Sequence, residues 1–189
     1  MPMKKLVPQI KSWTGVLLPT ALGEYTLMQA FCLSWFIVLA TQIKVPFYPV
    51  QMTMHDWAIM LVALLAARRV AIGAVLLFLS YPVMGLPVFD VSGFALFFDP
   101  TAGYLVGFIL MTATIATLKE RYPAGGFWTQ LGIVFVGSVV LFTAGLSWLA
   151  YLMGWPMALQ VGLLPFVGIQ PMKVALAAAL SVYWSDWRA

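Results

Sequence analysis

Residues 127–153 read FWTQLGIVFVGSVVLFTAGLSWLAYLM, which is 27 consecutive positions without a charged side chain. A helix that crosses a membrane needs about 20 predominantly apolar residues. A longer apolar helix is accommodated by tilting it in the bilayer. This stretch therefore predicts a tilted membrane-spanning helix.

The composition of the whole chain agrees with this prediction. Hydrophobic residues make up 63% of the 189 residues and charged residues only 8%, whereas an ordinary soluble domain carries about 25% charged residues. Such a chain cannot cover a globule with polar groups, which excludes a soluble enzyme, a secreted disulfide scaffold and a disordered regulator. Cys32 is the only cysteine, so no intrachain disulfide is possible. We predict an all-α integral protein of the cytoplasmic membrane.

Five further stretches can form membrane-spanning helices. One of them, residues 57–67, is short and must extend back toward Val50, and the last one contains Lys173. The five stretches are residues 25–43, 57–67, 70–89, 100–118 and 163–184. We therefore predict one membrane domain over residues 1–189. It consists of a cytoplasmic or interfacial segment at residues 1–24 and a bundle of six transmembrane helices at residues 25–184.

The basic residues favour the same count of helices. If the N-terminus is cytoplasmic, eight of the ten lysines and arginines fall in cytoplasmic segments, while Lys44 lies outside and Lys173 lies within the last span. An excess of Lys and Arg on the cytoplasmic side is typical of membrane proteins. The pattern predicts six helices with both termini in the cytoplasm. Because the basic residues are spread along the chain, no nucleic-acid partner is expected. The eight are Lys4, Lys5, Lys11, Arg68, Arg69, Lys119, Arg121 and Arg188.

Lys173 is the most informative residue of the chain. At 1.5 Å per residue it lies roughly 16 Å from the inner helix end at Trp184, near the middle of the membrane. A lysine there costs about 2.5–3.5 kcal/mol, so its ammonium is expected to face protein or water and to pair with an anion. That anion is either a bound anionic solute or a structural partner such as Asp56 or Asp90. The remaining alternative is that the side chain extends to the outer surface.

The segment before Lys173 does not form a regular helix. Residues 164–171 read LPFVGIQP, with two prolines and a glycine. Broken backbone at membrane depth is tolerated where it lines a cavity or is covered by protein. Gln170 precedes Lys173 by one helical turn, so the two side chains are predicted on one face. An amide both donates and accepts hydrogen bonds, which suits a ligand with both kinds of group.

Two outer loops carry most of the remaining polar side chains. Residues 44–56 read KVPFYPVQMTMHD, a proline-rich and aromatic segment that can act as a stiff lid over an apolar ligand. Asp56, Asp90 and Asp99 lie near the outer ends of the predicted helices and predict a polar outer pocket. His55 beside Asp56 is a weak metal signal because no other histidine or cysteine cluster exists. We predict no metal site.

Several motifs of catalysis are missing from the sequence. It contains no phosphate-binding loop of the GxxxxGK[ST] type, so any ATP must be hydrolysed by partner subunits. It also lacks the aspartate-rich metal motif, the HExxH motif and the nucleophile elbow of membrane transferases, proteases and hydrolases. We therefore predict that the chain is not an enzyme and binds no cofactor.

Three ordered motifs resemble the BioY family, the biotin-specific S components of energy-coupling factor transporters. Residues 45–53, VPFYPVQMT, are similar to its first-loop motif. Residues 85–89, GLPVF, followed by residues 100–104, PTAGY, resemble its second-loop motif. Residues 164–173 resemble the segment that ends in the lysine of the family, which Lys173 matches. The resemblance covers about residues 25–184.

This resemblance implies a six-helix subunit with both ends in the cytoplasm. Such a subunit captures biotin from outside and works with a transmembrane coupling subunit and two ATPases. The resemblance also implies a biotin site under the first outer loop, with contacts from the second outer loop and the last helix. The expected ligand-binding residues are Tyr48, Asp90, Ser92, Asp99, Tyr104, Gln170 and Lys173.

Ala30 and Ser34 form a small-xxx-small pair in the first predicted helix. Such pairs allow close helix packing, so they fit an intramolecular contact. They also resemble the pattern by which S components contact the coupling subunit.

The chain also departs from the family pattern at expected ligand contacts. Gln170 stands where the family usually has aspartate, and Asp99 replaces a glycine. One hypothesis is that Asp90 or Asp99 supplies the missing carboxylate from a neighbouring loop. A pocket with these groups suits biotin, and it is equally compatible with another small carboxylated vitamin such as lipoate.

Overall fold

A computed structural model of the chain describes residues 19–45, 52–89, 93–123 and 125–187. The described residues are almost entirely helical, which confirms the predicted all-α class. A short antiparallel pair of strands, β1 (Lys44–Val45) and β2 (Met52–Thr53), and a 3-10 helix at Gly93–Phe97 interrupt the helices. The helices are α1 (Pro19–Thr41), α2 (His55–Leu65), α3 (Arg68–Val83), α4 (Ala102–Arg121), α5 (Phe127–Met153), α6 (Trp155–Gly162), α7 (Leu164–Val167) and α8 (Gln170–Trp187).

Two of these helices, α4 and α5, are long and apolar enough to cross a membrane. Among the described residues a third span is formed if Trp155–Val167 and Gln170–Ser185, which are bent by 47° at the break between them, act as one. The break falls in the proline- and glycine-containing segment, as the sequence predicts. The shorter apolar helices are Tyr25–Thr41 and His55–Leu65. The total of six spans and the side of the termini stay predictions.

The helix predicted at residues 70–89 is shorter than expected. Helix α3 ends at Val83, where Pro82 in its last turn is followed by Gly85 with a φ of +88°. A positive φ is readily adopted only by glycine, so the chain turns out of the helix at this point. The residues after the turn, including Phe89, approach the interior of the bundle from a loop instead of from a helix.

Helices α4 and α5 pack more extensively against each other than any other pair of elements in the described chain. Their contact is lined by glycines on both helices. A Cβ atom on Gly103 would overlap Trp148, and one on Gly107 would lie 3.0 Å from the carbonyl oxygen of Leu141. Small residues let two helix backbones approach closely in a membrane bundle. This close contact fixes the position of Tyr104, whose ring lies against Gly145 of α5.

The pair Ala30 and Ser34 lies between α1 and α3. Ala30 is buried beside Gly73, and the Ser34 hydroxyl is fully buried at 2.7 Å from the Tyr81 hydroxyl. This is the intramolecular contact that the spacing allows. In this conformation α3 covers both residues, so neither one is available to another chain. A role in contact with a coupling subunit stays a prediction.

Two of the predicted cytoplasmic segments meet at one end of the bundle. Arg68, at the start of α3, lies 3.5 Å from the Glu120 carboxylate near the end of α4. Both side chains are about half exposed, and an exposed pair of this kind contributes little to stability. The pair shows that the segments around Arg68 and Lys119 lie at the same end of the bundle.

We predict that Gly103→Ala destabilises the protein by about 1–3 kcal/mol, because the added methyl group meets Trp148 and the carbonyl oxygen of Ala144 at 2.9 Å. Thermal unfolding of the purified protein in detergent measures this change. The matched control is Gly132→Ala in α5, where a Cβ atom has no neighbour within 4 Å. The control is expected to be neutral or stabilising, because alanine favours a helix over glycine. Equal unfolding temperatures for the two variants would contradict the packing described.

Candidate functional site

A cavity of about 640 Å³ lies among α2, α4, α5, α6 and the segment that precedes α4. This volume is in the usual range of small-molecule sites, about 300–1,000 Å³. Most of its wall is apolar, with the polar side chains confined to a few positions. Its larger apolar residues are Phe89, Leu96, Leu105, Phe108, Leu141, Phe142, Leu149 and Phe166. Its polar residues are Thr41, Gln42, Thr53, His55, Asp56, Asp99, Thr101 and Tyr104.

His55 occupies an aromatic part of this wall. Helix α2 begins at His55 directly after strand β2, and the imidazole Nδ1 forms a hydrogen bond with the Thr53 hydroxyl. Its ring contacts Phe108 edge-on at a centroid distance of 5.1 Å and Phe89 at 5.8 Å. Among the described residues no group of three His, Cys, Asp or Glu side chains is placed to hold a metal ion. His55 is therefore an aromatic and polar wall residue.

Asp56 and Lys173 form a buried ion pair at the edge of the cavity. The Lys173 Nζ atom lies 2.7 Å from Asp56 Oδ1 and donates a second hydrogen bond of 2.9 Å to the Thr53 carbonyl oxygen. Lys173 is 2% exposed and Asp56 is 7% exposed. The structural partner that lysine needs in an apolar bundle is thus Asp56 of α2. Asp56 lines the cavity, whereas Lys173 lies behind it and is not part of the lining.

Gln170 lies at the start of α8, one turn before Lys173, and is also buried. Neither the oxygen nor the nitrogen of its side-chain amide has a hydrogen-bond partner among the described residues. Buried polar groups in proteins are nearly always hydrogen-bonded, so an unpaired amide is unusual. Gln170 does not line the cavity in this structure. The predicted shared face with Lys173 agrees with the burial of both side chains.

Asp99 lines the cavity, and its carboxylate is engaged by its own turn. Asp99 Oδ1 accepts hydrogen bonds from the Thr101 backbone N–H at 2.8 Å and from the Thr101 hydroxyl at 2.6 Å. The Asp99 carbonyl oxygen also accepts a hydrogen bond of 3.1 Å from Trp148 Nε1. These contacts stabilise the turn that leads into α4. One face of this carboxylate is therefore already occupied.

Tyr104 connects the cavity wall to the end of α6. Its hydroxyl donates a hydrogen bond of 2.9 Å to the carbonyl oxygen of Gly162, the last residue of α6. Its ring contacts Phe142 edge-on, and Phe142 contacts Phe166 of α7 in the same way. Tyr104 thus fixes the distance between α4 and the bent segment. The predicted site residues Tyr48, Asp90 and Ser92 lie outside the described residues.

The sequence alone does not identify several residues of this wall. Phe108 and Phe142 lie within long apolar helices, where one aromatic residue cannot be distinguished from its neighbours by spacing. The sequence presents His55 only as a weak metal signal and Asp56 only as an outer acid that could pair with Lys173. The available signal is the polar stretch at residues 53–56, TMHD, directly before an apolar run. Ionisable residues within a membrane bundle almost always face its interior, so this stretch could have indicated the wall.

The comparisons of this sequence with known proteins all indicate the same family. Residues 13–189 match the model of the BioY family. A probable biotin transporter BioY of Rickettsia prowazekii is 29% identical over 149 residues, which cover 78% of this chain and 76% of that protein. A biotin transporter BioY of Rhizobium etli is 35% identical over 156 residues, covering 75% and 81%. These relatives are transporters, in agreement with the prediction that the chain is not an enzyme.

A crystal structure of the S-component for biotin from an ECF-type ABC transporter is also similar. The two folds superpose with a TM-score of 0.75 at 21% identity, over 89% of this chain and 95% of that one. This likeness is one of fold, and it confirms the predicted S-component-like bundle. The family match covers nearly the whole chain and includes both the cavity and the helix that carries Lys173. The chain belongs to the BioY family.

Proposed function

We propose that this chain captures biotin outside the cell and passes it into the cytoplasm as the S component of an energy-coupling factor transporter. The observation that carries the proposal is the cavity of about 640 Å³, with apolar walls and a few polar groups, in a member of the BioY family. A site of this kind suits a small molecule with an apolar body and polar ends.

The chemistry of biotin supports this assignment. Its ureido ring has two N–H donors and one strong acceptor, its thioether ring and valeryl chain are apolar, and its carboxylate is anionic. The phenylalanine and leucine side chains of the wall suit the apolar parts. Asp56, His55 and Thr53 offer hydrogen-bonding groups on one part of the wall, and Asp99 and Tyr104 offer them on another.

We propose that residues beyond the described wall complete the site. These are Tyr48 in the first outer loop, Asp90 and Ser92 in the second outer loop, and Gln170 and Lys173 in α8. An ammonium has three N–H donors, and among the described residues two of those of Lys173 are directed at Asp56 and Thr53. The unpaired amide of Gln170 is the group of α8 proposed to contact the ligand, and Lys173 is proposed to act on the ligand through Asp56.

We propose that a transmembrane coupling subunit and two ATPases work with this chain in ATP-driven uptake. The chain has no phosphate-binding loop, so any ATP must be hydrolysed by those partners. The complex is proposed to reside in the cytoplasmic membrane, with this chain crossing it six times and both ends inside. Contact through Ala30 and Ser34 requires α1 and α3 to separate, since α3 covers both residues. The exposed apolar residues next to them, Phe31 and Trp35, are available without such a movement.

We predict that the purified protein binds biotin at one site and that Tyr104→Phe weakens this binding about two- to tenfold. The substitution removes a polar group from the cavity wall and releases the Gly162 carbonyl oxygen, which lines the same cavity. A single hydrogen bond is worth about 0.5–1.5 kcal/mol. Titration calorimetry in detergent measures the number of binding sites and the dissociation constant. The control is Tyr122→Phe, since Tyr122 is exposed beyond the end of α4. If a well-folded wild-type sample does not bind biotin, the proposed function is wrong.

We predict that Asp90→Asn or Asp99→Asn lowers the affinity for biotin, because each substitution removes a negative charge from the second outer loop. In Asp99→Asn the amide oxygen can still accept the hydrogen bonds from Thr101, so the turn before α4 is retained. A change in affinity therefore reflects the contact with the ligand. The two variants are compared with the wild type in the same calorimetric titration. Unchanged affinity in both would exclude this loop as the source of a carboxylate for the ligand.

We predict that proteoliposomes containing this chain alone do not accumulate biotin when ATP is supplied. Accumulation is expected only when the coupling subunit and the two ATPases are reconstituted with it, because ATP hydrolysis must come from those subunits. Radiolabelled biotin inside the vesicles is the measurement. ATP-driven accumulation by the chain alone would refute the division of labour proposed here.

A further inference from the structure

Asp56 has an unusual position for an acidic side chain in this bundle. Its side chain is 10% exposed and lines the cavity, whereas the side chain of its partner Lys173 is 2% exposed and lies behind it. The ligand therefore meets the carboxylate of this pair first. Asp56 and Asp99 are the charged residues among the described lining, and Asp99 is engaged by Thr101.

The ion pair has no net charge, and this limits what it attracts. Lys173 brings one positive charge and Asp56 one negative charge, with 2.7 Å between their bonded atoms. A carboxylate on the ligand gains little from such a pair and is repelled by the acid at the surface of the cavity. An N–H donor is favoured there, because an ionised carboxylate only accepts hydrogen bonds and has room for about four of them.

Lys173 also fixes the orientation of this acceptor. The ammonium is held by two contacts, one to Asp56 Oδ1 and one to the Thr53 carbonyl oxygen just before α2. A hydrogen bond to a carboxylate is stronger than one to a neutral acceptor. Its other oxygen is available to a donor on the ligand, since among the described residues the bond from Lys173 engages Oδ1.

We propose that Asp56 is a specificity-determining residue that accepts a hydrogen bond from a ureido N–H of the ligand, with Lys173 as the positioning residue that orients it. The inference rests on the proposed function and adds to it a residue of α2. A ligand without an N–H donor leaves the second oxygen of the Asp56 carboxylate without a hydrogen-bond partner. Sites built to hydrogen-bond a polar group of the ligand discriminate strongly against analogues that lack it.

The first test varies the ligand and leaves the protein unchanged. Dethiobiotin keeps both ureido N–H groups and the carboxylate but has no sulfur, whereas lipoate keeps a sulfur ring and a carboxylate but has no N–H group. Competition with radiolabelled biotin on the wild-type protein is expected to rank dethiobiotin at least about a hundredfold above lipoate. Equal competition by the two compounds would overturn the inference.

The second test isolates Asp56 from its role as counter-ion. Asp56→Leu alone leaves a buried ammonium without an anion, which is expected to impair folding. The comparison is therefore made in the background of Lys173→Met, where no buried ammonium is left without an anion and the remaining Asp56 carboxylate faces the cavity. Adding Asp56→Leu to Lys173→Met is expected to lower the affinity for biotin roughly 10- to 100-fold further, the range for a hydrogen bond to a charged group. It is also expected to reduce the preference for dethiobiotin over lipoate.

The outcomes separate this inference from the proposed function. If the two variants in the Lys173→Met background unfold at similar temperatures and bind biotin equally, Asp56 is a counter-ion only and the inference is wrong, while biotin capture stands. If the folded wild-type protein binds neither biotin nor dethiobiotin, the proposed function fails and the inference fails with it. If the variant that combines Asp56→Leu with Lys173→Met folds but loses affinity and ligand preference, Asp56 is supported as the acceptor of the N–H group.

Discussion

A buried ammonium in an apolar helix bundle must be neutralised where it lies, and in this chain Asp56 provides the compensating charge for Lys173. The pair joins the first turn of α2 to α8, and its two residues are 117 positions apart in the sequence. The same ammonium donates a hydrogen bond to the Thr53 carbonyl oxygen, so the residue two positions before α2 is tied to α8 as well. The arrangement of one side of the cavity depends on this single charged group.

Another part of the cavity wall depends on close packing without charges. Helices α4 and α5 approach each other at Gly103 and Gly107, and this contact sets the position of Tyr104. Tyr104 in turn donates a hydrogen bond to the carbonyl oxygen of Gly162 at the end of α6. The α4–α5 contact therefore also positions the end of α6. A close-packed apolar group of residues and a charged, hydrogen-bonded group thus line the same cavity. Such a division suits a ligand with an apolar body that must also be oriented.

The sequence predicts those features that depend on local chemistry. Helix α5 matches the predicted run of residues 127–153 because Gly126 and Gly154 bound a long stretch without charges. The break before α8 likewise follows from its prolines and glycine. The pairing of Asp56 with Lys173 depends on which helices become neighbours, so local sequence leaves the partner open. The aromatic contacts of His55, such as the one with Phe108, have the same tertiary origin.

The hydrogen bond from Lys173 to Thr53 is made to the main chain, and this determines which substitutions near Thr53 preserve it. A backbone carbonyl is present whatever side chain the residue carries. Substitutions between β1 and β2 therefore leave the acceptor of this bond in place. The attachment of this segment to α8 does not depend on which side chain position 53 carries.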